Sequence, residues 1–381
     1  MKILFDIISL QNYHNGGEEY VRAILHDLLK KTGIELIGVY DSNFTFLDND
    51  YEWLSSIMKL EDIRKSNISD IVNRENIDMF FIGIGQRYAS YNLEGIKCQT
   101  ICVIHDIGDI EYSTNKIHYL FNKSIKSFIN LVVDYWAQKW NKSFSSRIRK
   151  PYGNLIKFIL KSNVEIITVS KYTANSLYYY FPQLKDKYIK IFYPPIKKYS
   201  LKQKIEDKTL SEFLEDSRPY LLFLNYNRLN KNGQIIFKVF RRLKMDNSDF
   251  RLIVTGAKHT TVKNDILYLK YVSTSDIENL YQRAWALLYP SYTEGFGYPP
   301  IEAMKYSTPV IVSNVCSMPE ILGKAPLYFS PFYENELYNC IKQLIANYDM
   351  YSKKAFEKVR EIEILQNYGT TELISLICQN K

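Results

Sequence analysis

WALLYPSYTEGFGYPPIEAMKYSTPVIVSN, residues 285–314, changes texture three times. WALLYPS is an apolar run of strand length, the centre is punctuated by glycine and proline, IEAMKYS reads as helix, and TPVIVSN returns to strand. A strand–helix–strand unit with continuously apolar strands predicts a parallel sheet covered on both faces. Within it, Glu294 and Glu302 cannot share one helix, because Gly295, Gly297, Pro299 and Pro300 lie between them. Glu294 therefore sits in a loop, and the two prolines introduce a helix starting near Ile301 with Glu302 in its first turn. The two acids approach whatever they hold from two pieces of backbone. The backbone N–H groups of Gly295, Phe296 and Gly297 are expected to face the same space. Carboxylates accept hydrogen bonds from vicinal hydroxyls, and amides donate to sugar or phosphate oxygens.

The same alternation extends outward. Downstream of Arg218 come RPYLLFLNY, FRLIVTG, ILYLKYV and APLYFS as strands, GQIIFKVFRRLK and TSDIENLYQRA as helices, and a mostly helical end over 333–378. The N-terminal part carries KILFDIISL, IELIGVY, MFFIGIG, QTICVIHD, VEIITVS and YIKIFY as strands. In the helix EEYVRAILHDLLKK, Val21, Ile24, Leu25, Leu28 and Leu29 share a face. Ser170 reads as the N-cap of KYTANSLYYYF. Between the two series, IKKYSLKQKIEDKTLSEFLEDSR is polar and lysine-rich and reads as a linker. The expected fold is α/β: two Rossmann-like doubly wound domains, 1–198 and 199–364, facing a central cleft, with a last helix at about 365–381 assigned back to the first. In such sheets ligands bind beyond the carboxyl ends of the strands, which makes the cleft the default site.

Hydrophobic content of 46% and charged content of 24% over 381 residues are those of a globular chain with room for two cores. MKILFDIISL reads as a first strand rather than a secretory leader, and no apolar run is long enough to span a bilayer. Five scattered cysteines read as reduced core thiols, including Cys98 and Cys102 on one strand. The expected compartment is the cytoplasm.

Several residues at strand ends carry candidate chemistry. Asn15-Gly16-Gly17 opens a helix after the first strand, suited to a plain turn or to close approach of an anion. GIGQR, 83–87, lacks a third glycine and reads as a turn. His105, followed by Asp106, ends QTICVI; a lone histidine is as a rule structural, but this placement favours function. Arg228 and Lys231 share a strand–helix loop, where two cations would clamp a diphosphate or simply face solvent.

EGFGYPPIEAMKYSTPVIVSNVCSMPEILGKAPLYFSP, 294–331, resembles the donor-site signature of glycosyltransferase family 4, whose fold is GT-B. NRLNKN resembles that family's phosphate loop, VIHD its acceptor-side histidine motif and GGEEY its N-terminal glycine loop. The resemblance implies that Glu302 binds the nucleotide ribose and Glu294 the donor sugar, with Gly295, Phe296 and Gly297 beside them. It implies that Arg228 and Lys231 neutralise the diphosphate, and that Gly16 and Gly17 close on it. His105 would contact the sugar and, with Glu294, assist transfer. It further implies a nucleotide-sugar co-substrate and no metal or other cofactor. Transfer would retain anomeric configuration, with a glycan or lipid-diphosphate-linked acceptor in surface polysaccharide assembly (O-antigen, capsule or similar). The phosphate loop departs from the pattern: no glycine precedes Arg228, and no arginine precedes Lys231-Asn232. Lys305-Tyr306-Ser307 replaces a run of small residues.

The net charge of +8 is concentrated. Residues 116–161 hold ten Lys/Arg against Asp134 alone, interleaved with Trp136, Trp140, Phe144, Tyr152 and Phe158. Such a stretch is a solvated face, a guide for an anionic acceptor, or an interfacial amphipathic element that docks on the inner face of a membrane. No recognised motif points to nucleic acid. Two alternatives to transfer stand beside it: a sugar-nucleotide epimerase of the same fold, and a non-catalytic glycan- or nucleotide-sugar-binding scaffold subunit.

Overall fold

The computed structural model describes residues 1–12, 16–47, 49–113, 152–196 and 205–379. The chain divides into two compact units, one formed by Met1–Lys197 with Leu365–Lys381 and the other by Lys198–Ile364.

The first unit is built on β1 (Lys2–Asp6), β2 (Glu35–Tyr40), β3 (Lys59–Asp62), β4 (Met79–Ile82), β5 (Gln99–Ile104), β6 (Val164–Thr168) and β7 (Ile189–Ile191). They lie in the order β3-β2-β1-β4-β5-β6-β7, every pair parallel. Strand order reverses at β1/β4, and there the crossing helices leave toward opposite faces and open a crevice beyond the strand ends. The apolar strands are buried because helices cover them: Leu155, Ile156, Phe158 and Ile159 of the helix Gly153–Ile159 pack into the same core as Phe80, Cys102 and Ile166. The 31-residue helix Tyr348–Cys378 ends in this unit. Gly369 lets it approach the chain closely, since a Cβ there would stand 2.9 Å from the Tyr193 carbonyl oxygen. Gln366 donates to the Pro194 carbonyl at 2.8 Å.

The second unit carries β8 (Tyr220–Phe223), β9 (Arg251–Thr255), β10 (Thr261–Lys263), β11 (Ile266–Leu269), β12 (Ala286–Tyr289), β13 (Val310–Ser313) and β14 (Leu327–Phe329). The order is β10-β11-β9-β8-β12-β13-β14, parallel except for the β10/β11 hairpin. Here the reversal falls at β8/β12. The amphipathic helix Gly233–Met245 buries Ile235, Ile236, Val239, Phe240 and Leu243 against this sheet.

Two expectations need correction. The helix after the glycine-rich loop starts at Tyr298, not near Ile301, because Gly297 takes the left-handed conformation (φ 87°) and starts the helix early. Both prolines then occupy the first turn, where their missing N–H groups cost nothing, and Glu302 falls in the second. Of the aromatic residues expected in an interfacial helix, Tyr152 and Phe158 are core residues instead. The core takes up both rings, which leaves them almost no apolar surface to offer a bilayer. Residues 116–151 of that stretch lie outside the described residues. Among the described residues, no helix is long and apolar enough to cross a membrane. Cys98, Cys102, Cys316, Cys340 and Cys378 are free thiols, and burial pushes Cys98 and Cys340 up to about 11, which leaves them protonated and unreactive.

Candidate functional site

At the β8/β12 reversal, two loops meet. The first runs from β8 through Asn225 and Asn232, both with positive φ, to the helix Gly233–Met245. Asparagine tolerates that conformation better than most residues. The second runs from β12 to Tyr298. A backbone bond from Tyr292 to the Asn230 carbonyl (2.8 Å) ties the loops together. The Ser317 hydroxyl holds the Glu294 carbonyl at 3.0 Å, and Ser313 donates to the Ser291 carbonyl. At Gly297 a Cβ would fall 2.2 Å from Cε of Met318, so the loop passes where only glycine fits.

This framework brings Lys231 and Glu294 into an ion pair, with side chains only 8% and 14% exposed. The Lys231 ammonium also donates to the Tyr289 hydroxyl at 2.9 Å. Burial and the neighbouring Glu294 carboxylate push the Tyr289 hydroxyl far above its ordinary range, so it stays a neutral partner. An ammonium has three N–H donors, and these two contacts use two of them. Glu302, buried on the next helix, accepts from the Tyr281 hydroxyl at 2.6 Å. Tyr281 is fixed in turn by Thr308, whose hydroxyl donates to its carbonyl at 2.6 Å. Arg228 is not drawn into this cluster. It starts the short 3-10 turn Leu229–Lys231 and is exposed. The Phe296 ring is buried and meets the Tyr298 ring edge-on at 5.5 Å, so this residue supports the loop through packing. Gly295 follows Glu294 and shares a bend with Phe296.

The first unit holds the other candidates at its own reversal. Gly16 and Gly17 open the helix Gly16–Leu28 that follows β1; Asn15 lies outside the described residues. His105 stands just beyond β5, with Nε2 2.9 Å from the Gly83 carbonyl oxygen and its ring edge-to-face with Tyr20 at 4.7 Å between centroids. Burial pushes the imidazole down to about 4, against the bond to Gly83. It is therefore neutral at pH 7. A carbonyl can only accept, so the single proton sits on Nε2 and Nδ1 carries the lone pair. Asp106 is exposed and accepts from the Gly108 N–H at 2.9 Å, which turns the chain into the next helix.

Three residues that hold these groups escaped sequence reasoning. Tyr281 and Tyr289 occupy apolar positions of a helix and a strand, and nothing in spacing reveals a working hydroxyl. Asp6 had a visible signal, a lone acid inside the apolar run KILFDIISL. In the structure it is fully buried.

Known proteins resemble both units together. The O-antigen chain mannosyltransferase RfbU of Salmonella typhimurium is 29% identical over 215 residues, covering 52% of this chain and 56% of its own. The chain thus spans about half the length of that curated relative. Among solved structures, HepE of Anabaena in complex with UDP-glucose superposes with a TM-score of 0.69 at 13% identity over 99% of this chain and 98% of its own. WaaG, a glycosyltransferase involved in lipopolysaccharide biosynthesis, does so with a TM-score of 0.65 at 11% identity over 100% of both. The two-sheet α/β fold is that of these solved structures. Residues 205–358, which hold Arg228, Lys231, Glu294 and Glu302, match the family model Glycosyl transferases group 1.

Proposed function

We propose that this chain is a retaining glycosyltransferase that moves a sugar, mannose in the first instance, from a nucleotide-sugar donor to a glycan or lipid-diphosphate-linked acceptor in surface polysaccharide assembly. The observation that carries it is the Lys231–Glu294 pair at the β8/β12 reversal, next to Glu302 and inside the segment that matches the group 1 model. The mannosyl donor is suggested by the name of the Salmonella relative. Glu302, oriented by Tyr281, would accept the ribose hydroxyls, and Glu294 the hydroxyls of the donor sugar. The third N–H of Lys231, joined by the exposed guanidinium of Arg228, would meet the diphosphate without a metal ion. In the transfer step the bond from the anomeric carbon to the phosphate oxygen breaks. The acceptor oxygen attacks from the same face, and its proton passes to the leaving phosphate oxygen. Cations fixed beforehand stabilise the charge that develops there. His105 would offer Nδ1 to a sugar hydroxyl, and Gly16 and Gly17 would give backbone N–H groups to an anion. The lysine-rich stretch beginning at 116 would hold the enzyme on an anionic membrane surface at the cytoplasmic face, where a lipid-linked acceptor resides.

The test is a thermal-shift screen against UDP, GDP, dTDP, CMP and their sugar conjugates. A ligand at 100 times its Kd adds about 2.7 kcal/mol, which raises Tm by several degrees. One nucleotide is expected to stand out, and its sugar conjugate should then give product with retained anomeric configuration by NMR. No shift with any nucleotide would refute the donor site and favour the scaffold reading.

A further inference from the structure

Asp6 lies at the end of β1, at the reversal in strand order, and its carboxylate receives five donors. Oδ2 accepts from the backbone N–H groups of Gly83 (3.0 Å) and Ile84 (3.2 Å) and from the Ser9 hydroxyl. Oδ1 accepts from the Ser9 N–H (3.0 Å) and the Tyr88 hydroxyl (2.8 Å). Three of these five are backbone donors that can do nothing but donate. An acid buried at such a site is costly unless its oxygens are satisfied, and here they are. Two of the five come from Ser9, and the other three come from one short turn, 83–88, that follows β4.

That turn has little freedom to move. A Cβ on Gly83 would lie 2.4 Å from Cγ2 of Val21, and one on Gly85 2.5 Å from Cδ1 of Ile104. Gln86 reaches across to donate to the Asp106 carbonyl at 2.5 Å. The peptide group between Gly83 and Ile84 therefore has its N–H, that of Ile84, fixed by Asp6 at 3.2 Å while its carbonyl, that of Gly83, faces Nε2 of His105 at 2.9 Å. One peptide plane joins the two side chains: turning it to lose the first bond also swings the second away.

We propose that Asp6 is the positioning residue for His105: through the Gly83–Ile84 peptide it fixes the imidazole as the Nε2–H tautomer and presents the Nδ1 lone pair to a substrate hydroxyl. The link between Asp6 and the tautomer is a property of the resting protein. The consequence for transfer rests on the role proposed for His105 above. The two can fail separately.

The experiment is NMR of 15N-histidine-labelled full-length protein at pH 7. The chain has His14, His26, His105, His118 and His259, and the His105 signals are assigned by their loss in His105→Gln. Wild type is expected to show a protonated Nε2 and an unprotonated Nδ1 for His105. Asp6→Ala should yield a mixture of tautomers and lower kcat about 100-fold, the order of loss expected from misplacing a reacting group. Its affinity for the nucleotide should be unchanged, because Lys231, Glu294 and Glu302 belong to the other unit. Asp6→Asn should rescue most of both. Its amide oxygen can still take Gly83 and Ile84, while its NH2 turns to the Tyr88 oxygen at the loss of the bond from the Ser9 N–H. A wild-type His105 protonated on Nδ1, or an Asp6→Ala protein with an unaltered tautomer, would overturn the proposal. Should Asp6→Ala fail to fold, the wild-type tautomer and the Asp6→Asn spectrum still decide it: a mixed tautomer in Asp6→Asn that retains full kcat overturns it. If the tautomer follows Asp6 but His105→Gln transfers sugar normally, the positioning stands and the role of His105 in transfer falls.

Discussion

Replacing Lys231 by methionine removes the charge but keeps the length of the side chain. In the structure the ammonium balances Glu294, and the two side chains are 8% and 14% exposed. Breaking a pair this buried from one side leaves a carboxylate with little water to replace its partner, at a cost of about 3 kcal/mol. The unit spanning 198–364 is of a size for which each kcal/mol moves Tm by roughly 2–4 °C. Lys231→Met should therefore lower its melting transition by about 6–12 °C. Glu294→Gln should cost somewhat less, since an amide oxygen still accepts from the ammonium. In the double variant no charge is left without its partner, and most of the lost stability should return. That amounts to a coupling of about 2 kcal/mol in a double-mutant cycle. Activity should not follow stability. The double variant should fold well, bind the nucleotide sugar weakly and transfer nothing, because both the proposed phosphate cation and the proposed sugar-binding acid are gone. Scanning calorimetry on the four proteins, with titration calorimetry against the donor, measures both. A Lys231→Met transition within about 2 °C of wild type would refute the energetic reasoning. Wild-type turnover by the stable double variant would remove both residues from the site.

Other consequences can be checked with single variants. Tyr281→Phe deletes a buried hydroxyl 2.6 Å from Glu302 and should cost about 2 kcal/mol in urea denaturation, with nucleotide affinity lowered about tenfold; an unchanged Kd would detach Glu302 from the ribose. Ser307 adopts φ 61° at the end of the helix Tyr298–Lys305, and Ser307→Gly should stabilise by up to about 1 kcal/mol; a loss of stability would mean the serine side chain is needed there. Because His105 is held down to about 4, the folded chain binds fewer protons than the unfolded chain between about pH 6.5 and 4. That contribution is complete above the unfolded value and is lost as pH falls toward 4, by about 3 kcal/mol in all. Denaturation of His105→Gln at pH 7 and pH 4 should lack this component of the acid loss; an identical acid loss in both proteins would contradict the shift.

The fold was legible wherever strands are buried on both faces. Runs such as MFFI and ALLY admit no polar residue because helices cover both sides of them. Two of the edge strands, β3 and β10, were not. β3 reads KLED, and its Lys59 and Glu61 spend their charges on each other, on Glu75 and on Arg74, which is how an edge is kept from pairing with another chain. β10 is exposed throughout and left no apolar trace. At the site, glycine and proline made the loop–helix break between Glu294 and Glu302 readable, because their backbone constraints are local. The contacts that hold the two acids are not local. Lys231 is 63 positions from Glu294, and Tyr281 is 21 from Glu302. Sequence alone offered Lys231 and Glu294 as groups awaiting a ligand, whereas the structure gives each the other as its resting partner. On the function proposed above, a donor would then have to share Lys231 with Glu294 rather than meet an empty cation. Its diphosphate has to bring enough charge to take the third N–H without breaking the pair that holds the two loops together. A nucleoside monophosphate carries its charge on one phosphorus and cannot set a second phosphate beside Lys231, which makes it a weaker expected competitor than the nucleoside diphosphate.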